Sequence, residues 1–126
     1  MQNVNGFADN IAGVLLKIFI AGYGEFHIIG FSLGAQLSGA IGRFVISRSR
    51  GKYVIPRITG LDPGQIPLII QRTTLKELNQ GDARFVDTVH GESNQFGSGT
   101  SLGNASFWVN GGISQPVCRS VVTVCE

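Results

Sequence analysis

The 126-residue sequence predicts an α/β fold, a mostly parallel sheet flanked by helices. Three observations carry that expectation. The short, nearly all-apolar run Phe26 to Ile29 has the composition of a strand covered on both faces, as strands of parallel sheets are. It leads directly into Gly30-Phe31-Ser32-Leu33-Gly34, and a helix-forming segment follows. Val54 to Leu61 reads as the next strand, so strand, helix and strand form a right-handed crossover between parallel strands.

Taken in order, Phe7 to Ala21 reads as an amphipathic helix, because Phe7, Ile11, Val14, Leu15 and Ile18 fall on one stripe. Gly22-Tyr23-Gly24 ends it. After the first strand, a serine between two glycines at a strand-to-helix junction is the pattern of a nucleophile elbow. Gly30 and Gly34 are expected to let the chain turn sharply and the helix pack close to the strand, lifting Ser32 clear of both. The Leu33 N–H then faces the place where an oxyanion would develop. The pentad alone is a weak signal in a chain with 18 glycines; its flanking strand and small-residue helix give it weight. Ala35, Ser38, Gly39, Ala40 and Gly42 form a helix face able to approach the sheet closely, and Arg48-Ser49-Arg50-Gly51 closes the unit.

The Val54 to Leu61 strand ends in Asp62-Pro63-Gly64, at the same sheet edge as Ser32, where open α/β sheets place their chemistry. Read locally, Asp62 is either a turn residue before Pro63 or a functional carboxylate of that edge. Thr73 to Asn79 reads as loop or a single helical turn, and Ala83 to His90 as a third strand. Gly91 to Gly103 is a Gly/Ser/Asn-rich surface loop. Ser106 to Val109 is a last short strand, turned by Asn110-Gly111-Gly112.

Composition bounds the setting. A hydrophobic content of 43%, charge of 14% and mean hydropathy of +0.20 describe a core-rich chain, poor in the charged surface of a free-standing domain. Residues 1–126 are therefore expected to be one partial domain. A net charge of +2 and a pI near 8.8 are too mild for a nucleic-acid partner. Arg43, Arg48, Arg50, Lys52 and Arg57 either solvate a helix end or favour anionic lipid head groups. The apolar run Ile11 to Ala21 fits neither a signal peptide nor a transmembrane span, since Asp9 precedes it, Lys17 interrupts it and no basic segment lies upstream. A signal, if the parent is secreted, would lie upstream of Met1. Cys118 and Cys125 are either a disulfide or two free thiols of a reducing compartment.

The four stretches HIIGFSLGAQLSGAIGR, IPRITGLDPGQIPL, DARFVDTVHGE and LGNASFWVNGGISQPVC, in this order and spacing, resemble the second half of the catalytic domain of the neutral or pancreatic-type lipase family, most closely its insect members. The resemblance runs from about Asn3 to the C-terminus. It implies a partial α/β-hydrolase fold whose first strands lie before Met1, a lipid or ester substrate or ligand, contact with a lipid interface, secretion, and no cofactor.

In that family the triad runs serine, aspartate, histidine. Ser32 of GFSLG matches the nucleophile. Asp62 of GLDPG matches the acid, which holds an imidazole in the right tautomer while the imidazole takes the serine proton. Laying the family's Gly-His stretch, which leads to Asn-Gly-Gly, over Gly103 to Gly112 puts Asn104 at the triad-histidine position. An amide cannot take up that proton. Loss of a triad histidine costs roughly a millionfold in turnover, about 8 kcal/mol of barrier. The resemblance thus implies a catalytically impaired, lipid-binding or storage-type module. The alternative is an active triacylglycerol lipase or phospholipase whose base is His90, at the active edge of the third strand, or a histidine beyond these residues. His27 begins its strand at the far end, out of reach.

Asn104-Ala105-Ser106 is also the chain's single N-x-S sequon, and a glycan at the triad position would cover Ser32. Some family members bind a structural calcium over the stretch Thr74 to Asp82. Asp82 matches one carboxylate ligand, but Thr74 and Asn79 stand where carboxylates are expected, so no metal is expected. Gly91 to Gly103 occupies the lid position and is short, as in the phospholipase-like members. Cys118 and Cys125 resemble the insect members' disulfide, whose small loop would stabilise by roughly 2 to 3 kcal/mol.

Overall fold

A computed structural model describes residues 4–66 and 74–116 of the protein. In chain order these form α1 (Val4–Ile20), β1 (His27–Phe31), α2 (Leu33–Arg48), β2 (Arg57–Leu61), β3 (Phe85–His90) and β4 (Ala105–Trp108), with 3-10 turns at Gln80–Asp82 and Val109–Gly111. Among the described residues the four strands make one sheet in the order β1-β2-β3-β4, every neighbouring pair parallel. The expected α/β architecture is therefore present.

Element boundaries follow local chemistry. The strand expected from Val54 starts only at Arg57, after Pro56, which has no N–H to give to a ladder. Leu75 to Asn79 have no regular structure; the turn comes later, at Gln80–Asp82, where Asn79 and Asp82 cap each other reciprocally. In α1 the fully buried residues are Ala8 and Ala12, with Ile11, Leu15 and Phe19 half-buried beside them, whereas Phe7, Val14 and Ile18 of the expected stripe are exposed. Phe19 packs on Tyr53 and Phe26, with ring centroids 5.1 and 4.8 Å away.

The small-residue face of α2 has two neighbours. Ala35 and Gly42 meet β2, at Gly60 and Ile58. Gly39 and Gly42 also receive the segment Leu78 to Asp82: a Cβ on Gly42 would collide with the Asp82 carbonyl oxygen, and one on Gly39 would stand 2.5 Å from Asp82 Oδ2. The sheet alone does not explain this face. Gly42→Ala is expected to destabilise the protein by about 1 to 3 kcal/mol, because the obstacle is backbone and cannot rotate away. A thermal melt that does not move would refute this.

Within the described residues α2 covers one face of the sheet only, so the expectation of strands covered on both faces is half met. On the other face Ile29 is 62% exposed and Phe107 56%, with Phe31 and Leu61 also open. The polar members of that face protect themselves. Asp87 accepts two bonds from Arg57 (2.6 and 3.1 Å) and one from Thr59 Oγ1 (2.7 Å). The Arg57 guanidinium holds the Asp87 carboxyl below its usual range against the opposing effect of burial. Because the Thr59 hydroxyl gives its single proton to Asp87, His27 Nε2, 2.7 Å from Thr59 Oγ1, must be the donor of that pair. His27 is thus fixed at the start of β1.

Candidate active site

The strand register brings Ser32 and Asp62 to one edge. Phe31 pairs with Leu61 and Leu61 with Val89, and the ladder continues one residue further: Ser32 N–H donates to Leu61 O (2.9 Å), and Asp62 N–H donates to Val89 O (2.8 Å). The two residues therefore leave adjacent strands side by side, at the C-terminal edge.

Ser32 stands in a conformation that side chains rarely adopt, with φ 51° and ψ −117°. Such a residue persists only where its surroundings over-determine it. Here its N–H is bound to Leu61, and its carbonyl accepts from Ala35 N–H (3.1 Å) and Gly64 N–H (3.2 Å). The turn needs Gly30, where a Cβ would collide with the Gly34 carbonyl and stand 2.5 Å from Ser38 Oγ. Gly34 is different: a Cβ there would meet nothing within 4 Å among the described residues. The steric requirement expected of both glycines thus falls on one. Leu33 is the first residue of α2, so its N–H has no acceptor within the helix.

Asp62 also has positive φ, 39°. Its Oδ1 accepts from Gly91 N–H (2.5 Å) and Glu92 N–H (3.0 Å), so the carboxylate is anchored by the backbone at the end of β3. Both bonds fall on Oδ1, and among the described residues Oδ2 is the oxygen left to face a further donor. The turn after Asp62 is held from two sides. Ser98 N–H donates to Pro63 O (2.6 Å), Gln65 N–H donates to Phe96 O (2.8 Å), and Gly64 bridges to Gly97. From the elbow side, Gln36 Nε2 donates to Gly64 O (2.6 Å). Nothing in the sequence pattern singled out Gln36; the one available signal was a polar side chain one helical turn past Ser32, on a helix otherwise lined with small residues.

The loop Gly91 to Gly103 is pinned as well as exposed. The Glu92 carboxylate accepts from the N–H groups of Asn94, Gln95 and Phe96, folding the loop so that Phe96 to Ser98 reach the Asp62 turn. Phe96 projects outward, 61% exposed.

His90 ends β3 beside this edge, yet its ring is committed elsewhere. It is 1% exposed and stacks on Trp108 with centroids 4.1 Å apart. Nδ1 lies 3.1 Å from Ser98 O, an acceptor only, so Nδ1 carries the hydrogen; Nε2 then accepts from Thr88 Oγ1 at 2.8 Å. Burial pushes the imidazole below its ordinary pKa, against the pull of the Ser98 carbonyl and the Asp62 charge. The structure does not bring His90 to Ser32.

Asn104 does not occupy the triad-histidine position that the resemblance implies. It precedes β4 and sits opposite Val86: its N–H donates to Val86 O (2.7 Å), and its Oδ1 accepts from Val86 N–H (2.8 Å). Because β4 runs parallel to β3, with His90 opposite Trp108, residues before β4 emerge at the N-terminal edge of the sheet. Val86 lies four residues before His90, roughly 13 Å of strand from the edge that carries Ser32. Asn104 therefore does not stand where a triad histidine must stand, and its substitution says nothing about proton transfer at Ser32. A glycan on this residue would likewise lie away from Ser32. Asn104→His is expected to leave ester turnover unchanged. Asn104→Ala should lower stability by about 1 kcal/mol through the orphaned Val86 N–H, read by thermal denaturation.

The residues that align with calcium ligands bind within the protein. Asp82, 1% exposed, accepts from Arg43 Nη1 (2.6 Å) and Asn79 N–H (2.9 Å); burial raises its pKa, while those two donors act against the rise. Thr74 Oγ1 accepts from Asn5, and Asn79 Oδ1 from Gly81 N–H. Among the described residues no group of three or more His, Cys, Asp or Glu could hold a metal. Of the basic residues, Arg43, Arg48 and Arg57 are paired with Asp82, Asp9 and Asp87. Cys118 and Cys125 lie outside the described residues. Among the described residues no helix is long and apolar enough to cross a membrane.

Comparison with known proteins adds to this geometry. A family model described as Lipase matches residues 1–125. The chain is 35% identical over 124 residues to phospholipase A1 member A of Rattus norvegicus, covering 97% of this chain and 26% of the relative. It is 35% identical over 116 residues to lipase member H of Oryctolagus cuniculus, covering 86% of this chain and 24% of the relative. Lipase member H of Xenopus tropicalis is 38% identical over 96 residues, 76% of this chain and 19% of the relative. The chain thus spans about a quarter or less of the length of these proteins.

Proposed function

The chain belongs to the lipase family, whose model covers nearly all of it, and on that premise we propose that it carries the nucleophile and the acid of a hydrolase of lipid carboxylic esters. Ser32 is the nucleophile, Asp62 the acid and Leu33 N–H an oxyanion donor. The imidazole comes from a part of the protein beyond these 126 residues, a reading supported by relatives about four times as long. One observation carries the proposal: two side chains of the required types leave adjacent strand ends at one sheet edge, each on a strained, hydrogen-bonded backbone.

In this reading Ser32 Oγ attacks the ester carbonyl carbon as the imidazole takes its proton, and the carbonyl oxygen becomes an oxyanion at the Leu33 N–H. The imidazolium returns the proton to the leaving alcohol, giving a Ser32 acyl ester. Water activated by the same imidazole then releases the fatty acid. Asp62, with Oδ1 held by Gly91 and Glu92, accepts the imidazole N–H on Oδ2. The substrates are triacylglycerol or phospholipid, consistent with relatives named lipase and phospholipase A1. The exposed side chains of Phe96, Trp108 and Val109 by this edge suit a lipid interface. The protein acts outside the cell, as a secreted lipase-family member.

A second reading, a non-catalytic lipid-binding or storage-type module, is favoured by the ring contacts among the described residues: His27 is engaged by Thr59, and His90 by Thr88 and Ser98. A fluorophosphonate probe on the full-length protein separates the two. Labelling of Ser32 with turnover of short-chain and triacylglycerol esters, with labelling still detectable in folded His90→Ala, is the expected result. A folded protein with an unlabelled Ser32 and no turnover would leave the second reading.

A further inference from the structure

We propose that Gln36 is a positioning residue that locks the Asp62 turn to the Ser32 elbow. The inference rests on the hydrolase reading for its catalytic consequence, while the clamp itself rests on geometry. Gln36 is fully buried. Its Nε2 donates to Gly64 O at 2.6 Å, and its Oε1 accepts from Leu78 N–H at 2.7 Å. Gly64 in turn donates its N–H to the carbonyl of Ser32 itself at 3.2 Å. Both backbone groups of Gly64 are therefore gripped by the elbow and its helix, two residues after Asp62.

A primary amide suits this place because it offers a donor and an acceptor on one planar group. A carboxylate lacks the donor, and an aliphatic side chain would leave Gly64 O and Leu78 N–H buried without partners. Asp62 has positive φ, a conformation that the surroundings must hold, and the Gly64 grip is the hold supplied from the nucleophile's side. The opposite side is held by the loop, through Ser98 to Pro63 and Phe96 to Gln65. Released from Gln36, the turn would follow the loop, and Asp62 would shift relative to Ser32. Misplacement by about 1 Å costs on the order of a hundredfold in rate.

The test uses the full-length protein with Gln36→Glu and Gln36→Leu. In Gln36→Glu an acceptor for Leu78 N–H remains. Protonated, the acid offers an O–H to Gly64 O; ionised, it sets a carboxylate against that carbonyl. Burial raises the pKa of such a carboxyl. The ratio of variant to wild-type kcat should therefore fall as pH rises, with KM unchanged. Gln36→Leu should lower kcat by roughly tenfold to a hundredfold at every pH. Hydrogen exchange at the Gly64 N–H should quicken in Gln36→Leu while the β1–β2 ladder stays protected. A residue that only fills the core would shift the melting temperature and leave the kcat ratio flat and Gly64 exchange unchanged, which would overturn the proposal. If Gln36→Leu does not fold, the kcat ratio of Gln36→Glu and its Gly64 exchange at low and high pH decide the matter. A wild-type protein without esterase activity would remove the hydrolase reading, and Gly64 exchange would still decide whether the clamp exists.

Discussion

Ser32→Ala in the full-length protein lowers ester turnover by roughly a millionfold, the cost of removing the serine of such a triad. The melting temperature should stay close to the parent's. Alanine meets the same backbone restriction at φ 51° as serine does, and the contacts that hold the elbow are made by backbone atoms, the Ser32 N–H and carbonyl. The Ser32 hydroxyl thus contributes to chemistry in this reading and little to folding. Steady-state hydrolysis of a short-chain ester, with circular dichroism as the control for folding, makes the comparison. Turnover within about tenfold of wild type would remove Ser32 from the mechanism.

Asp62→Asn is the second large effect, with kcat falling by about ten-thousandfold and KM little changed. The anchoring geometry supplies the reason. Gly91 and Glu92 N–H groups require an acceptor, so the asparagine carbonyl oxygen takes the Oδ1 place and the amide nitrogen the Oδ2 place. That nitrogen donates where the imidazole needs an acceptor, and the ring is held in the wrong tautomer. The rate of fluorophosphonate labelling of Ser32 should fall in parallel with kcat. An undiminished labelling rate would mean that Asp62 is only a turn residue.

What the sequence revealed was local or set by chain direction. The apolar strand, the glycine pentad and the small-residue helix are contiguous, and the crossover rule places Asp62 at the edge of Ser32 without any side-chain detail. The directional rule that puts Asp62 beside Ser32 puts Asn104 at the opposite edge. A residue after a parallel strand emerges at the C-terminal edge, and one before it at the other; a motif match over Gly103 to Gly112 carries no information on that direction. Gln36 was invisible because its two partners lie 28 and 42 residues away in the chain. The inward side of α1 is hard to read from sequence because close helix contact is made by the small residues Ala8 and Ala12, while the larger Phe7 and Val14 stay exposed.

The paired left-handed residues at the two neighbouring strand ends carry an evolutionary consequence. Holding non-glycine side chains there costs on the order of 1 to 3 kcal/mol each. Laboratory selection for heat tolerance alone, blind to turnover, would drift toward glycine at 32 and glycine or asparagine at 62. Libraries recovered from such a selection would grow more robust as they fell silent, and the opposing pull of stability and activity would be concentrated in those two codons.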